Sequence, residues 1–330
     1  MEKSIAVIGG GSWGTALVKV LSENAASVHW WVRSAETASH IIQYRRNPNY
    51  LSYLELPLEK LRISTNIAEV VELADLLIFA VPSPFLKESL EALPAECLGS
   101  KIIVSAIKGI IPGEFAIVSK FFHQKYGIPY HHIGVISGPC HSEEVAMERL
   151  SFLTIAFDNS DLSGFLTGKL SSRYMKISST RDILGVEYAA VLKNIMAIAN
   201  GICVGLGYGD NFQSVLIVNS IREVKRFLDR INRVERDINS PVYVGDLIVT
   251  AYSQFSRNRT FGHLIGKGYS PEFARIEMKM VAEGYYAARG IHEINRELQV
   301  DMPISRAVYN ILYSAADPRE EMKQLAARLE

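Results

Sequence analysis

From Ser4 onward, short runs of consecutive apolar residues alternate with stretches whose apolar positions recur about every 3.6 residues. The runs at 5–8, 28–32, 76–81, 102–106 and 133–137 are too short for helices and rich in β-formers, which predicts strands. Their alternation with helical stretches predicts an α/β fold on a doubly wound parallel sheet. Two further β-like runs, 152–157 and 174–177, are candidates to extend it. Near Asp182 the pattern changes. Stretches 183–203, 213–231, 271–281, 282–298 and 303–313 carry helical spacing, several opening at proline or a polar cap, and predict an all-α second half. The expected domains are 1–182 and 183–330, joined without a Gly/Ser/Pro linker, one long helix backing onto the first domain. Segment 242–250 is rich in β-branched residues and reads as a strand on propensity alone.

Composition narrows the function classes. With 330 residues, 48% of them hydrophobic, the chain can bury two sizeable cores, and 35 basic residues balance 35 acidic ones. Nothing in that balance recommends nucleic acid or an anionic membrane as partner, although a local anion site is allowed. Cys97, Cys140 and Cys203 form no CxxC pair and are odd in number, which fits free thiols in a reducing cytoplasm. The N-terminal apolar stretch is too short for a secretion signal. The mostly apolar run 186–206 is interrupted by Glu187, Lys193, Asn194 and Asn200, each costly in lipid, so a buried helix is expected rather than membrane insertion. The eight histidines lack a ligand spacing, His131-His132 reads as a surface pair, and no metal is implied.

The first motif with chemistry is Gly9-Gly10-Gly11-Ser12-Trp13-Gly14, which follows a predicted strand and leads into Thr15-Ala-Leu-Val-Lys-Val-Leu21. That is G-x-G-x-x-G in its strand-to-helix context. Gly9 permits the tight turn, Gly11 lets backbone approach a pyrophosphate, and Gly14 allows close packing while the helix N-terminus faces the anion. An N-terminal Rossmann-type domain binding NAD or NADP is the expectation, with Ser12 and Trp13 beside the cofactor. An NAD-selective site usually ends its second strand in Asp or Glu; here the strand ends at Arg33, which suits a 2′-phosphate and permits NADPH. A solvated surface arginine is the alternative there.

The second centre is Lys193. It lies with Asn194 in the middle of a helix otherwise apolar enough to be buried, and shares a face with Ala197 and Asn200. A desolvated lysine has its pKa lowered from about 10.4 and can protonate a carbonyl that receives hydride. Periodicity alone leaves open a lysine snorkelling at the helix edge. Gly185-Val-Glu-Tyr-Ala-Ala-Val-Leu-Lys-Asn-Ile195, Gly205-Leu-Gly-Tyr-Gly-Asp-Asn211, Gly245-Asp-Leu-Ile-Val-Thr250, Ser256-Arg-Asn-Arg-Thr-Phe-Gly262 and Val281-Ala-Glu-Gly284 closely resemble, in order and spacing, the bacterial NAD(P)-dependent glycerol-3-phosphate dehydrogenases. Val81-Pro-Ser83, Lys108-Gly109 and Ser137-Gly-Pro139 extend the likeness over nearly the whole chain.

The resemblance implies hydride transfer between NAD(P)H and dihydroxyacetone phosphate, giving sn-glycerol 3-phosphate for phospholipid synthesis, in a cleft between the two domains. It implies Lys193 as proton donor, Asp246 orienting it, and Ser256, Arg257 and Asn258 on the substrate, Arg257 also touching the cofactor. Lys108 is implied as shared by substrate and cofactor, residues 138–142 as a closing loop in which Gly138 and Cys140 face substrate and Ser142 faces cofactor, and Tyr50, Val281 and Glu283 as cofactor contacts. A homodimer and helix over 242–250 are implied in the same way. The chain departs from the family pattern at Cys140, where Ser or Thr is usual, at His141-Ser142, at Pro84, and at Asn-Ser-Pro-Val-Tyr-Val before Gly245. Competing readings are another two-domain dehydrogenase, such as a 3-hydroxyacyl-CoA or 6-phosphogluconate enzyme, and a non-catalytic NADP(H) sensor. The compact pairing of Lys193-Asn194 with Ser256-Arg-Asn258 argues against both.

Overall fold

The computed structural model describes residues 3–278 and 281–330. Its chain falls into two compact units. The first runs to Ile107 and resumes from Val118 to Ile183; the second takes Lys108–Ile117 and everything from Leu184 on. A single cut after residue 182 therefore leaves out an excursion. Ile110 explains why that segment belongs with the second unit: it is buried, and its side chain fills the space a Cβ would need at Gly290.

The first unit is one eight-stranded sheet: β1 (Ile5–Ile8), β2 (Val28–Trp31), β3 (Leu61–Ser64), β4 (Leu76–Phe79), β5 (Ile102–Ser105), β6 (Ile133–Ser137), β7 (Ser151–Phe157) and β8 (Met175–Thr180). The spatial order is β3-β2-β1-β4-β5-β6-β7-β8. β1, β4, β5 and β6 are buried at every position, which is why they read as unbroken apolar runs. Pairing is parallel except between β6 and β7, so the sheet is the mostly parallel, doubly wound one expected, with one antiparallel step. Between those strands lies the five-residue helix Ser142–Ala146, after which the chain returns antiparallel to β6. β3 went unseen because it is an edge strand with one buried residue in four. Trp30, fully buried in β2, is the largest side chain of this unit's core.

The second unit is helical: Ile183–Leu206, Asp210–Ile231, Asp246–Tyr252, Arg257–Gly266, Pro271–Glu277, Glu283–Leu298, Pro303–Tyr313 and Pro318–Ala326. The candidate helix 271–281 stops at Glu277; residues 279 and 280, within that stretch, lie outside those described. Residues 242–250 are helix rather than strand, a π-helical turn Pro241–Gly245 running into Asp246–Tyr252. Among the described residues, one helix, Ile183–Leu206, is long and apolar enough to cross a membrane, and 89% of its apolar window is buried inside the fold.

Two glycine pairs seat this long helix. A Cβ at Gly201 would lie 2.1 Å from Arg259 O, one at Gly205 2.5 Å from His263 O, one at Gly262 2.1 Å from Ile198 O, and one at Gly266 2.3 Å from Ile202 O. Ile183–Leu206 and Arg257–Gly266 therefore touch backbone to backbone, and an alanine at any of the four would force them apart. Gly284 makes the same approach to Asn194 O, at 2.6 Å, from the helix Glu283–Leu298.

Candidate active site

In the first unit the glycines occupy the turn between β1 and the helix Ser12–Asn24. Gly9 has φ +132°, a conformation that side chains avoid, and a Cβ there would meet the Ala80 backbone at 2.9 Å. A Cβ at Gly14 would sit 2.1 Å from Gly9 O, so the helix can start this close only because Gly14 has none. Gly11, the helix N-cap, has nothing within 4 Å of its Cβ position. That open space beside the first helical amides is where an anionic group fits. Ser12 is buried at the helix start, and Trp13 packs against the core with an indole N–H that has no acceptor among the described residues. Three residues that the sequence reading passed over, Thr15, Trp30 and Asn47, bond the glycine carbonyls.

The other residues expected around the cofactor in this unit are spread along its loops. Arg33 follows β2 with its side chain 68% exposed, 3.7 Å from Glu88 and 5.7 Å over the Phe85 ring. Tyr50 is half-buried. Gly138 has φ +144°, its Cβ position 2.6 Å from Phe152 O. Cys140 belongs to the hydrophobic core, and its thiol donates to Gly138 O at 3.2 Å. Ser142 opens its short helix and donates to Glu143.

The second unit gathers a buried cluster of charged side chains. Lys193 is 5% exposed and projects from the middle of Ile183–Leu206. Its Nζ donates to Asp246 Oδ1 at 2.5 Å and Thr250 Oγ1 at 3.0 Å. Thr250 in turn donates to Asp246 O at 2.6 Å, so its hydroxyl can only accept from the lysine. Lys108 Nζ reaches the other oxygen, Asp246 Oδ2, at 3.1 Å. One carboxylate thus lies between two ammonium groups. Burial pushes the Asp246 carboxyl up, but the charges of Lys108 and Lys193, with their hydrogen bonds, more than reverse it and hold the group below the usual carboxylate value.

An amide relay fixes the surrounding backbone. Gly284 N donates to Asn258 Oδ1 at 2.9 Å, Asn258 Nδ2 to Asn194 Oδ1 at 2.9 Å, and Asn194 Nδ2 to Lys108 O at 2.6 Å. Asn258 therefore acts through Asn194 on the segment that carries Lys108. Ser256 caps the helix Arg257–Gly266, accepting from Arg259 N at 3.3 Å. Arg257, beside it, is exposed and has no ion-pair partner among the described residues. Val281 is half-buried and Glu283 opens the next helix, whose Gly284 joins the relay. Lys108, Lys193, Asp246 and Asn258 are thus brought together, Ser256 and Arg257 adjoin them through the Arg257–Gly266 helix, and Thr250 and Asn194 complete the set. The i, i+4 spacing of Asp246 and Thr250 was the available signal for the threonine.

Residues 4–163 match the family model for the NAD-dependent glycerol-3-phosphate dehydrogenase N-terminus, and residues 182–323 match that for the C-terminus. The chain is 31% identical over 326 residues to glycerol-3-phosphate dehydrogenase [NAD(P)+] of Staphylococcus carnosus, covering 98% of each chain. It is 32% identical over 325 residues to the Staphylococcus aureus protein of the same name, again covering 98% of each. The crystal structure of glycerol-3-phosphate dehydrogenase from Coxiella burnetii superposes with a TM-score of 0.89 at 27% identity, covering 98% of both chains. With a glycine turn fit for a dinucleotide, a buried lysine site, and likeness running the length of the chain, this protein belongs to the NAD(P)-dependent glycerol-3-phosphate dehydrogenase family.

Proposed function

We propose that Lys193 is the proton donor with which this chain reduces dihydroxyacetone phosphate to sn-glycerol 3-phosphate. NAD(P)H, when bound, supplies the hydride to C2 of the substrate. Lys193 delivers a proton to the C2 oxygen, completing the alcohol, and takes it back in the reverse direction. Asp246 and Thr250 aim the Nζ by accepting two of its hydrogen bonds. Asp246 bonds both ammonium groups, whose positive charges are favourable to a phosphate-bearing substrate. Arg257, with a planar guanidinium at the start of its helix, is the proposed phosphate ligand, and Lys108 its neighbour.

For the cofactor, Gly9, Gly11, Ser12, Trp13 and Gly14 are proposed around the pyrophosphate and Arg33 near the adenosine ribose. Tyr50, Ser142, Val281 and Glu283 are further proposed contacts, and Gly138 and Cys140 stand on the proposed closing loop. Because the Cys140 thiol donates into its own loop, backbone is the better candidate for any substrate contact there. The same reading places the enzyme in the cytoplasm as a homodimer that supplies glycerol 3-phosphate to phospholipid synthesis, on the family resemblance and the free cysteines.

The observation that carries the reading is Lys193 Nζ held between Asp246 and Thr250 in a buried helix. The test is loss of nicotinamide absorbance with dihydroxyacetone phosphate, run separately with NADH and NADPH, on the parent and on Lys193→Ala. Turnover in the parent that falls by about 10²–10⁴-fold in the variant is expected. Tight cofactor binding without turnover in the parent would overturn the assignment and leave a sensor.

A further inference from the structure

The glycine turn is held by side chains that no part of the dehydrogenase reading uses. Trp30 Nε1 donates to Gly9 O, Asn47 Nδ2 to Gly10 O, and Thr15 Oγ1 to Gly11 O, each at 2.9 Å. Three consecutive carbonyls therefore accept from three donors whose side chains are fully buried. Across a trans peptide the carbonyl of one residue and the amide of the next point in opposite directions. Drawing the Gly9, Gly10 and Gly11 carbonyls inward thus turns the Gly10, Gly11 and Ser12 amides away from the protein's own donors. A concave row of such amides is an anion cradle.

Asn47 is the keystone. It spends both amide protons on the turn, one on Gly10 O and one on Thr15 Oγ1 at 2.9 Å. The second bond makes the Thr15 hydroxyl an acceptor there and commits its proton to Gly11 O. Asn47 Oδ1 accepts from Asn49 N at 3.1 Å, and Asn49 Nδ2 donates to Thr37 Oγ1 at 3.1 Å, which anchors the arrangement to the helix Ala35–Tyr44. We propose that Asn47 is a positioning residue of the dinucleotide site, aiming the turn's amides at the pyrophosphate by holding Gly10 O and the Thr15 hydroxyl. This rests on the dehydrogenase reading. Asparagine is required because leucine has no donors, and an aspartate lacks both donors and sets a negative charge beside the cradle.

The test is a fluorescence titration of the full chain with NADPH and with NADH, comparing the parent with Asn47→Leu and Asn47→Asp, alongside steady-state kinetics. With two neutral hydrogen bonds lost, the cofactor Kd is expected to rise about 10-fold or more in Asn47→Leu, and further in Asn47→Asp. The cofactor KM should follow Kd, while kcat at saturating cofactor and the KM for dihydroxyacetone phosphate change far less. A parental Kd in Asn47→Leu overturns the proposal, and so does a fall in kcat with Kd unmoved. Should Asn47→Leu not fold, Thr15→Val carries the test: a several-fold rise in Kd supports the relay, and a parental Kd overturns it. A parent chain that binds neither nicotinamide overturns the dehydrogenase reading itself, and the role of Asn47 with it.

Discussion

The glycine turn and the lysine site both handle charge, by opposite means. At the turn buried side chains bond the Gly9, Gly10 and Gly11 carbonyls, and the neighbouring backbone amides are the proposed anion ligands. At the lysine site the backbone is a scaffold, and two ammonium groups hold one buried carboxylate directly. A third place in the molecule shows what separates the two solutions. Glu223 is buried against the N-terminus of the Pro303–Tyr313 helix and accepts from Ile304 N at 2.8 Å and Ser305 N at 2.9 Å. Burial lifts its carboxyl to about 7 in spite of those bonds and the nearby Arg226 charge. Asp246 is as deeply buried, yet Lys108 and Lys193 bring it below its usual value. At Glu223 two amide bonds do not offset burial, and the carboxyl stays above its usual range. A pyrophosphate, ionised at any ordinary pH, can be left to backbone; a carboxylate that must stay charged beside a proton donor needs full positive charges.

The largest effect should come from breaking the charged solution. Asp246→Asn removes the carboxylate that bonds both lysines and takes its negative charge out of a buried cluster. A fall in kcat of about 10²–10⁴-fold is expected, with cofactor Kd near that of the parent. Breaking a buried ion pair also destabilises the fold by about 3–5 kcal/mol, which a urea titration reads. If kcat barely moved, Asp246 would be a structural counter-ion and the contrast drawn above would fail at its centre.

Glu223→Gln probes the intermediate case. The folded chain holds the Glu223 proton more tightly than the unfolded chain, whose glutamate titrates near 4.5. Its contribution to stability is therefore complete below pH 4.5 and is lost as pH rises toward about 7, amounting to about 3 kcal/mol over that window. Unfolding free energies measured at intervals from pH 4.5 to 7 should decline more steeply in the parent than in Glu223→Gln. Parallel profiles would mean that the helix N-terminus keeps the carboxylate ionised after all, and that amides suffice.

The same contrast governs how much of the molecule can be read before folding. The turn was legible because backbone constraints leave a mark at fixed spacing: Gly9 must adopt φ +132° and Gly14 must lack a Cβ. The central strands were legible because burial on both faces makes them continuous apolar runs. At the edge that signal fades, and β3, Leu-Arg-Ile-Ser, looks like any loop. Segment 242–250 misled on propensity because packing in a helical unit overrides the preference of β-branched residues, and only the family likeness corrected it. The lysine site left only partial local marks, Lys193-Asn194 within an apolar helix and the i, i+4 pair Asp246 and Thr250. Lys108 and Asp246 lie 138 residues apart and meet on a segment that Ile110 packs against Gly290 and that Asn194 holds through Lys108 O. Even the glycine pairs 201/205 and 262/266, plain in the sequence, say that two helices touch closely without saying which two.

Arg33 offers the smallest effect and the finest test of the backbone solution. A turn built from amides treats NADH and NADPH alike, since both carry the same pyrophosphate, so any preference must come from a side chain at the end of β2. Arg33 stands there, exposed and 3.7 Å from Glu88, and solvent weakens whatever it contributes. Arg33→Ser is therefore expected to lower the NADPH-to-NADH ratio of kcat/KM by about 10-fold, through loss of one charge-assisted contact in part screened by water. The NADH value alone should hold, because its ribose presents a neutral hydroxyl. An unchanged ratio would make Arg33 a surface cation serving Glu88 and Phe85 and would remove it from the proposed cofactor site.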